Sequence, residues 1–98
     1  MEKRTPHCPL ARVKELVAAG TVHATDIALE GAAALDLDLE GMLLVVMALT
    51  KKDFYKSMTT YADNKVWQDV YKPSTPVGDV YLKLTVIDDV LIVSFKEL

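Results

Sequence analysis

Cysteine and histidine are nearly absent from this chain. One thiol, Cys8, and two imidazoles, His7 and His23, are spread over 98 residues. A single cysteine excludes an internal disulfide, and no plausible zinc set remains. The scarcity also bears on catalysis. Histidine is the usual proton carrier near neutral pH, and neither histidine lies in the second half of the chain. Long apolar runs are missing too. The longest, Met42 to Leu49, falls far short of the ~20 residues that a spanning helix needs, so it reads as a buried helix. Lys3 and Arg4 stand near the start, but no apolar segment follows them to make a secretory leader. These absences lead us to expect a cytoplasmic protein without metal, cofactor or membrane association.

An excess of positive charge is lacking as well. Eleven basic and 14 acidic residues give a net charge of −3, the wrong sign for a basic nucleic-acid footprint. The imbalance is uneven. Residues 1–50 hold 4 basic and 7 acidic side chains, whereas residues 51–98 hold 7 of each. Any cationic site is therefore expected in the second half.

What is present is an ordinary globular composition, 51% hydrophobic and 26% charged. A chain of this size buries roughly 60–65% of its unfolded surface, enough for one domain over residues 1–98. The first half reads helical. Pro9 suits a first helical position and Gly20 the residue past a helix end, with Leu10, Val13, Leu16 and Val17 on one face. Thr25 can cap a second helix whose inner stripe is Ile27, Ala28, Gly31, Ala34 and Leu35. Asp38 can cap a third, from about Leu39 to Leu49, apolar on so many sides that most must be covered. Thr50 and Asp53 resemble a capping box.

The second half reads as strands over Phe54–Thr60, Val66–Tyr71, Asp79–Ile87 and Val90–Lys96. Turn-rich breaks at Ala62–Lys65 and Pro73–Gly78 separate them, and Asp88–Asp89 is a two-residue hairpin candidate. In the third strand Val80, Leu82, Leu84 and Val86 alternate with Tyr81, Lys83 and Thr85. In the fourth, Leu91, Val93 and Phe95 are assigned to the apolar side, leaving Ser94 and Lys96 with Tyr81. The expected fold is α+β: N-terminal helices packed on one face of an antiparallel sheet, with the other face partly open.

A lysine, an amide and a phenol on such a face suit cleavage of an RNA phosphodiester. Without a metal, that reaction needs activation of the ribose 2′-hydroxyl, cations for the phosphorane charge, and an acid for the leaving 5′-oxygen. The candidates are Lys56, Lys83, Lys96, Tyr71, Tyr81 and Gln68. A lysine among lysines can have its pKa lowered. A tyrosine must be shifted from its usual value of about 10, and a glutamine can orient but not carry protons. Tyr55, Tyr61, Trp67 and Tyr71 offer faces for base stacking. Plainer readings stand beside these. Strand lysines are commonly solvated or guard an edge, Trp67 suits a core, and Tyr81 suits an amphipathic sheet position. His7 suits a surface position before the first helix, and Cys8 an inert thiol. On these residues alone the chain is a small α+β domain, with nucleic-acid binding as one option.

Longer strings narrow the choice. MEKRTPH at the start, FYKSMTTY and WQDVY in the middle, and VYLK and DVLIVSFKE near the end resemble the motility quorum-sensing regulator (MqsR) family of bacterial toxins. The resemblance covers essentially the whole chain. It implies a RelE-like α+β fold and the toxin role of a type II toxin–antitoxin system. The implied activity is an mRNA-cleaving endoribonuclease, independent of metal and of the ribosome, with a preference for GCU-type sites. The implied partner is a cognate zinc-binding, helix-turn-helix antitoxin, through which alone the toxin reaches operator DNA. The family's catalytic positions fall on Lys56, Gln68 and Tyr81. Lys56 is assigned to phosphate charge, with some base character, Gln68 to substrate positioning, and Tyr81 to an acid–base or orienting role. Lys96, Lys83, Tyr55 and Trp67 are further RNA-binding candidates. The alternative is a catalytically weak or inactive protein of the same fold acting through antitoxin and DNA. The acidic balance departs from the basic character typical of such toxins, and predicts a weaker or more salt-sensitive grip on RNA.

Overall fold

Local capping chemistry sets the helix boundaries in the computed structural model, which describes residues 1–98. Helix α1 (Leu10–Ala18) starts from Pro9, which caps it from outside and does not occupy the first helical position. It ends where Gly20, at φ +80°, turns the chain and its N–H bonds the carbonyl of Val17. Glycine is suited to that left-handed conformation. Helix α2 (Asp26–Ala33) is capped by Thr25, whose hydroxyl oxygen accepts from the Ala28 N–H at 3.1 Å. Helix α3 (Leu39–Ala48) is capped by Asp38, which accepts from the Gly41 N–H at 2.9 Å. A 3₁₀ turn (Lys51–Asp53) follows, and the Asp53 carboxylate accepts from the Thr50 N–H as the capping box requires.

Seven strands accompany the helices: β1 (Glu2–Lys3), β2 (Val22–Ala24), β3 (Phe54–Thr59), β4 (Trp67–Tyr71), β5 (Ser74–Thr75), β6 (Gly78–Ile87) and β7 (Asp89–Glu97). The main sheet runs β1-β3-β4-β6-β7-β2, and β5 pairs with the start of β6. All pairs are antiparallel except β2 with β7. The fold is thus α+β, with helices on one sheet face, as the sequence suggests. The parallel edge strand β2 is too short to show an alternation of its own.

Three expectations need correction. The hairpin between β6 and β7 is tighter than Asp88–Asp89: Asp89 already pairs with Ile87, and Asp88 turns alone at φ +66°. In β7 the buried apolar residues are Val90, Ile92 and Phe95, not Leu91, Val93 and Phe95. Val93 is an extra residue in the ladder, because Lys83 pairs with Ser94 while Leu84 pairs with Ile92. That bulge reverses the alternation along β7. In the helices, α2 buries Ala28 and Ala32 and leaves Ile27 72% exposed, and α3 leaves Leu44 72% exposed.

The core lies between the helices and the β4–β6–β7 half of the sheet, with Val13, Met42 and Val46 opposite Leu82, Leu84 and Phe95. Gly31 brings α2 close, since a side chain there would overlap the carbonyl oxygen of Phe95. Asp69 is the buried polar anchor at 2% exposure. Its two carboxylate oxygens accept the N–H groups of His7 (2.9 Å) and Cys8 (3.1 Å), tying the segment before α1 to β4. Asp69→Ala strands both donors and is expected to cost on the order of 2–4 kcal/mol. Asp69→Asn keeps one carbonyl acceptor and should recover part of that loss. Urea unfolding of the three proteins checks the order.

Candidate active site on the open sheet face

Strand pairing decides which side chains meet, because partners in register share a face. Lys56 on β3 pairs with Val70 on β4, Val70 with Lys83 on β6, and Lys83 with Ser94 on β7. This row crosses the face turned away from the helices. Val70 within it is fully buried yet stands outside the main core. Its flanking neighbours on that face are Lys56 and Lys83, whose methylene stems suit covering an apolar residue. Tyr81 lies two residues from Lys83 and pairs with Lys96. Gln68 lies two residues from Val70 and pairs with Met58. Of the three catalytic and four RNA-binding candidates that the resemblance implies, five, Lys56, Gln68, Tyr81, Lys83 and Lys96, therefore share one face.

They do not close around a single atom. Gln68 and Tyr81 stand on adjacent strands, displaced by four residues in register, roughly 13 Å at the usual strand rise. Lys56 lies midway along that direction. The arrangement is a diagonal track, a shape suited to an extended strand more than to a compact substrate.

Lys56 is the most constrained member. Its side chain is 19% exposed, and its Nζ lies 2.5 Å from Oε1 of Glu2 on β1. The hydrogen bond to Glu2 raises the Lys56 pKa above its ordinary value, against partial burial and with smaller help from the Glu2, Tyr55 and Tyr81 charges. The same bond lowers the Glu2 pKa. The Glu2 carboxylate thus favours the ammonium form of Lys56, the opposite direction from the lowered pKa that a cluster of lysines would give. Surrounding cations do not control it; a carboxylate does.

Two cations near this face were not singled out from the sequence. A bulge in β3 between Phe54 and Lys56 turns out Tyr55. Lys72 Nζ lies 3.6 Å from its ring centroid, Lys56 Nζ 5.4 Å and the Arg4 guanidinium carbon 5.6 Å. Lys72 was legible, since alternation through Gln68 and Val70 reaches it. Arg4 was not, because only the long-range pairing of β1 with β3 brings it there. Lys96 Nζ lies 5.2 Å from the Tyr81 ring centroid.

Trp67 departs from the expected grouping. It shares the parity of Asp69 and so belongs to the helix side of β4, where it stacks on His7 at 5.5 Å with Lys3 Nζ 4.2 Å from its centroid. His7 is thereby kept off the open face. His23 lies on β2, 3.2 Å from the Asp89 carboxylate. Tyr61 is fully exposed in the turn after β3. Tyr71 is 1% exposed in the core, and its buried hydroxyl meets no partner.

Burial, followed by the nearby Asp69 and Cys8 charges, pushes the Tyr71 phenol far above its ordinary value. The folded state thus favours the protonated form. Its contribution is fully present below pH about 10 and is lost progressively at higher pH. Near-ultraviolet titration should show the Tyr71 phenolate appearing only with unfolding. Tyr71→Phe should remove this part of the alkaline destabilisation.

The acidic net charge does not carry over to the open face. Residues 24–50, which include all of α2 and α3, hold five acidic residues and no basic one. Arg4, Lys56, Lys72, Lys83 and Lys96 instead gather on or beside the open face. Charge is segregated by the fold. A concavity of about 360 Å³ lies elsewhere, between α3 and the Pro73–Val77 turn, and none of the seven candidates lines it. An open cationic track needs no deep pocket to hold a strand. No three His, Cys, Asp or Glu side chains group so as to hold a metal ion. No helix is long and apolar enough to cross a membrane.

Comparison with known proteins adds two findings. Residues 5–97 match the family described as motility quorum-sensing regulator, toxin of MqsA. The chain is 61% identical over 97 residues to the mRNA interferase toxin MqsR of Escherichia coli (strain K12), with 99% of each chain covered.

Proposed function

The chain belongs to the motility quorum-sensing regulator toxin family, and on that premise we propose that it is an endoribonuclease toxin cutting single-stranded mRNA on its open sheet face. The observation that supports this most is the sharing of that face by Lys56, Gln68 and Tyr81, with Lys72, Lys83, Lys96 and Arg4 around them.

In this reading the ribose 2′-oxygen attacks the adjacent phosphorus in line as its proton passes to solvent. The bond to the 5′-oxygen breaks as that oxygen takes up a proton from Tyr81 or solvent, leaving a 2′,3′-cyclic phosphate and a 5′-hydroxyl. Negative charge grows on the phosphorane oxygens. Lys56, already an ammonium, meets that charge without gaining or losing a proton. Tyr81 is left as the acid–base or orienting group. Gln68, displaced along the track, positions a neighbouring nucleotide. Lys83 and Lys96 steady flanking phosphates, and Tyr55 offers a ring to a splayed base where Lys72 now sits.

Cleavage prefers GCU-type sites and requires neither metal nor ribosome, and it arrests translation in the bacterial cytoplasm. A cognate antitoxin, zinc-binding and with a helix-turn-helix region, neutralises the toxin and carries it to operator DNA for regulation of the operon.

The test is cleavage of a defined single-stranded RNA with one GCU, and matched variants, by purified protein with EDTA present and ribosomes absent. Wild type should cut at GCU. Tyr81→Phe should be slowed by about 10²-fold or more. Intact RNA with folded wild-type protein would refute the nuclease reading and leave antitoxin binding as the better account.

A further inference from the structure

Among the five cations on or beside the open face, Lys56 alone is ion-paired to a carboxylate. Glu2 reaches it from the edge strand β1, where Glu2 pairs with Met58 and so shares that face. Glu2 is the outer partner, at 54% exposure against 19% for Lys56. A phosphate oxygen would seek the same position, because carboxylate and phosphate satisfy an ammonium alike. Both anions cannot sit there without repelling each other.

Resting on the assignment of Lys56 to phosphate binding, we propose that Glu2 is a built-in phosphate mimic: it occupies the Lys56 ammonium in the free protein and must swing aside when RNA engages. Glu2 then sets the affinity for RNA and is not a support for Lys56. The anchoring of β1 suits such an exchange. The strand has two residues, paired as Glu2–Met58 and Lys3–Ser57, and the Met1 ammonium donates to Thr59 Oγ1 at 3.2 Å. The backbone is held while an exposed side chain remains free to turn. Glu2, the exposed half of the pair, is screened by solvent, so the carboxylate tunes binding and does not block it. Lys56 stays protonated throughout, since one anion replaces another.

The experiment measures binding of a GCU-containing RNA, made uncleavable by 2′-deoxyribose at the cut position, by fluorescence anisotropy across a potassium chloride series. Glu2→Gln should bind roughly two- to fivefold more tightly than wild type. The slope of log affinity against log salt should steepen by about 0.7, as for one additional phosphate contact on a single strand. Glu2→Asp keeps the charge but withdraws the carboxylate by one methylene, and should show part of the gain. Glu30→Gln removes a carboxylate exposed on α2 and controls for net charge. In a Lys56→Ala background the effect of Glu2→Gln should fall to that of the control.

Binding by Glu2→Gln no tighter than by Glu30→Gln, or weaker than wild type, would overturn the proposal and make Glu2 a support for Lys56. If Lys56→Ala itself binds RNA as wild type does, the assignment of Lys56 fails and the proposal falls with it. The two failures are thus told apart.

Discussion

Replacing Lys56 with alanine is expected to slow RNA cleavage by about 10²–10³-fold, the scale for removing one preorganised charge donor from an active site. The protein should stay folded. The Lys56 side chain lies on the open face and outside the core, and its ion pair with Glu2 is open to solvent on the Glu2 side, so it adds little to stability. Thermal melting should therefore shift little while single-turnover cleavage collapses. Lys56→Arg keeps a positive charge but presents it as a broader planar fork. It should retain more activity than alanine and less than wild type. A cleavage rate for Lys56→Ala within a fewfold of wild type would remove Lys56 from the chemistry.

Gly31→Ala is the second large effect, and its sign runs against helix propensity. In an unpacked helix the change would gain about 1 kcal/mol. Here a methyl group at Gly31 would overlap the Phe95 carbonyl oxygen, and the backbone of Lys96 lies next in line. Neither neighbour is a flexible side-chain tip. Helix α2 would have to lift away from β7, loosening the fully buried Ala28 and Ala32 on its packed face. Overpacking of this kind costs about 3 kcal/mol or more, a large part of a small domain's stability of roughly 5–15 kcal/mol. Gly20→Ala is the useful contrast. Gly20 has a positive φ but open space around it, so its cost is confined to the backbone, about 1 kcal/mol. Urea unfolding should rank wild type, Gly20→Ala and Gly31→Ala in that order. Equal stability for the last two would mean that α2 is not seated on β7 as described.

These two sites also separate two routes to a silent toxin. Lys56→Ala should give a folded protein that spares RNA. Gly31→Ala should give one that is scarcely folded, so loss of activity there says nothing about chemistry.

Near-neighbour chemistry determined the features that the sequence revealed. Thr25, Asp38 and Gly20 mark helix ends because a cap or a left-handed turn depends on a few adjacent residues. The alternation of Val80, Leu82 and Leu84 with Tyr81 and Lys83 assigns the faces of β6 for the same reason. The long strings shared with the toxin family singled out Lys56, Gln68 and Tyr81 as candidates ahead of any geometry. Tertiary structure alone decided the rest. The Val93 bulge reversed the faces of Leu91 and Val93, since alternation holds only while a ladder stays in step. Trp67 went to the helix side, where the β1–α1 segment supplied His7 and Lys3 to cover it. Glu2 reached Lys56 and Arg4 reached Tyr55 across more than 50 residues of chain, because β1 adds to the β3 edge. That pairing sets a carboxylate against Lys56 and favours its ammonium form. No local pattern encodes such an effect, because a side chain's charge state depends on which distant group the fold sets beside it.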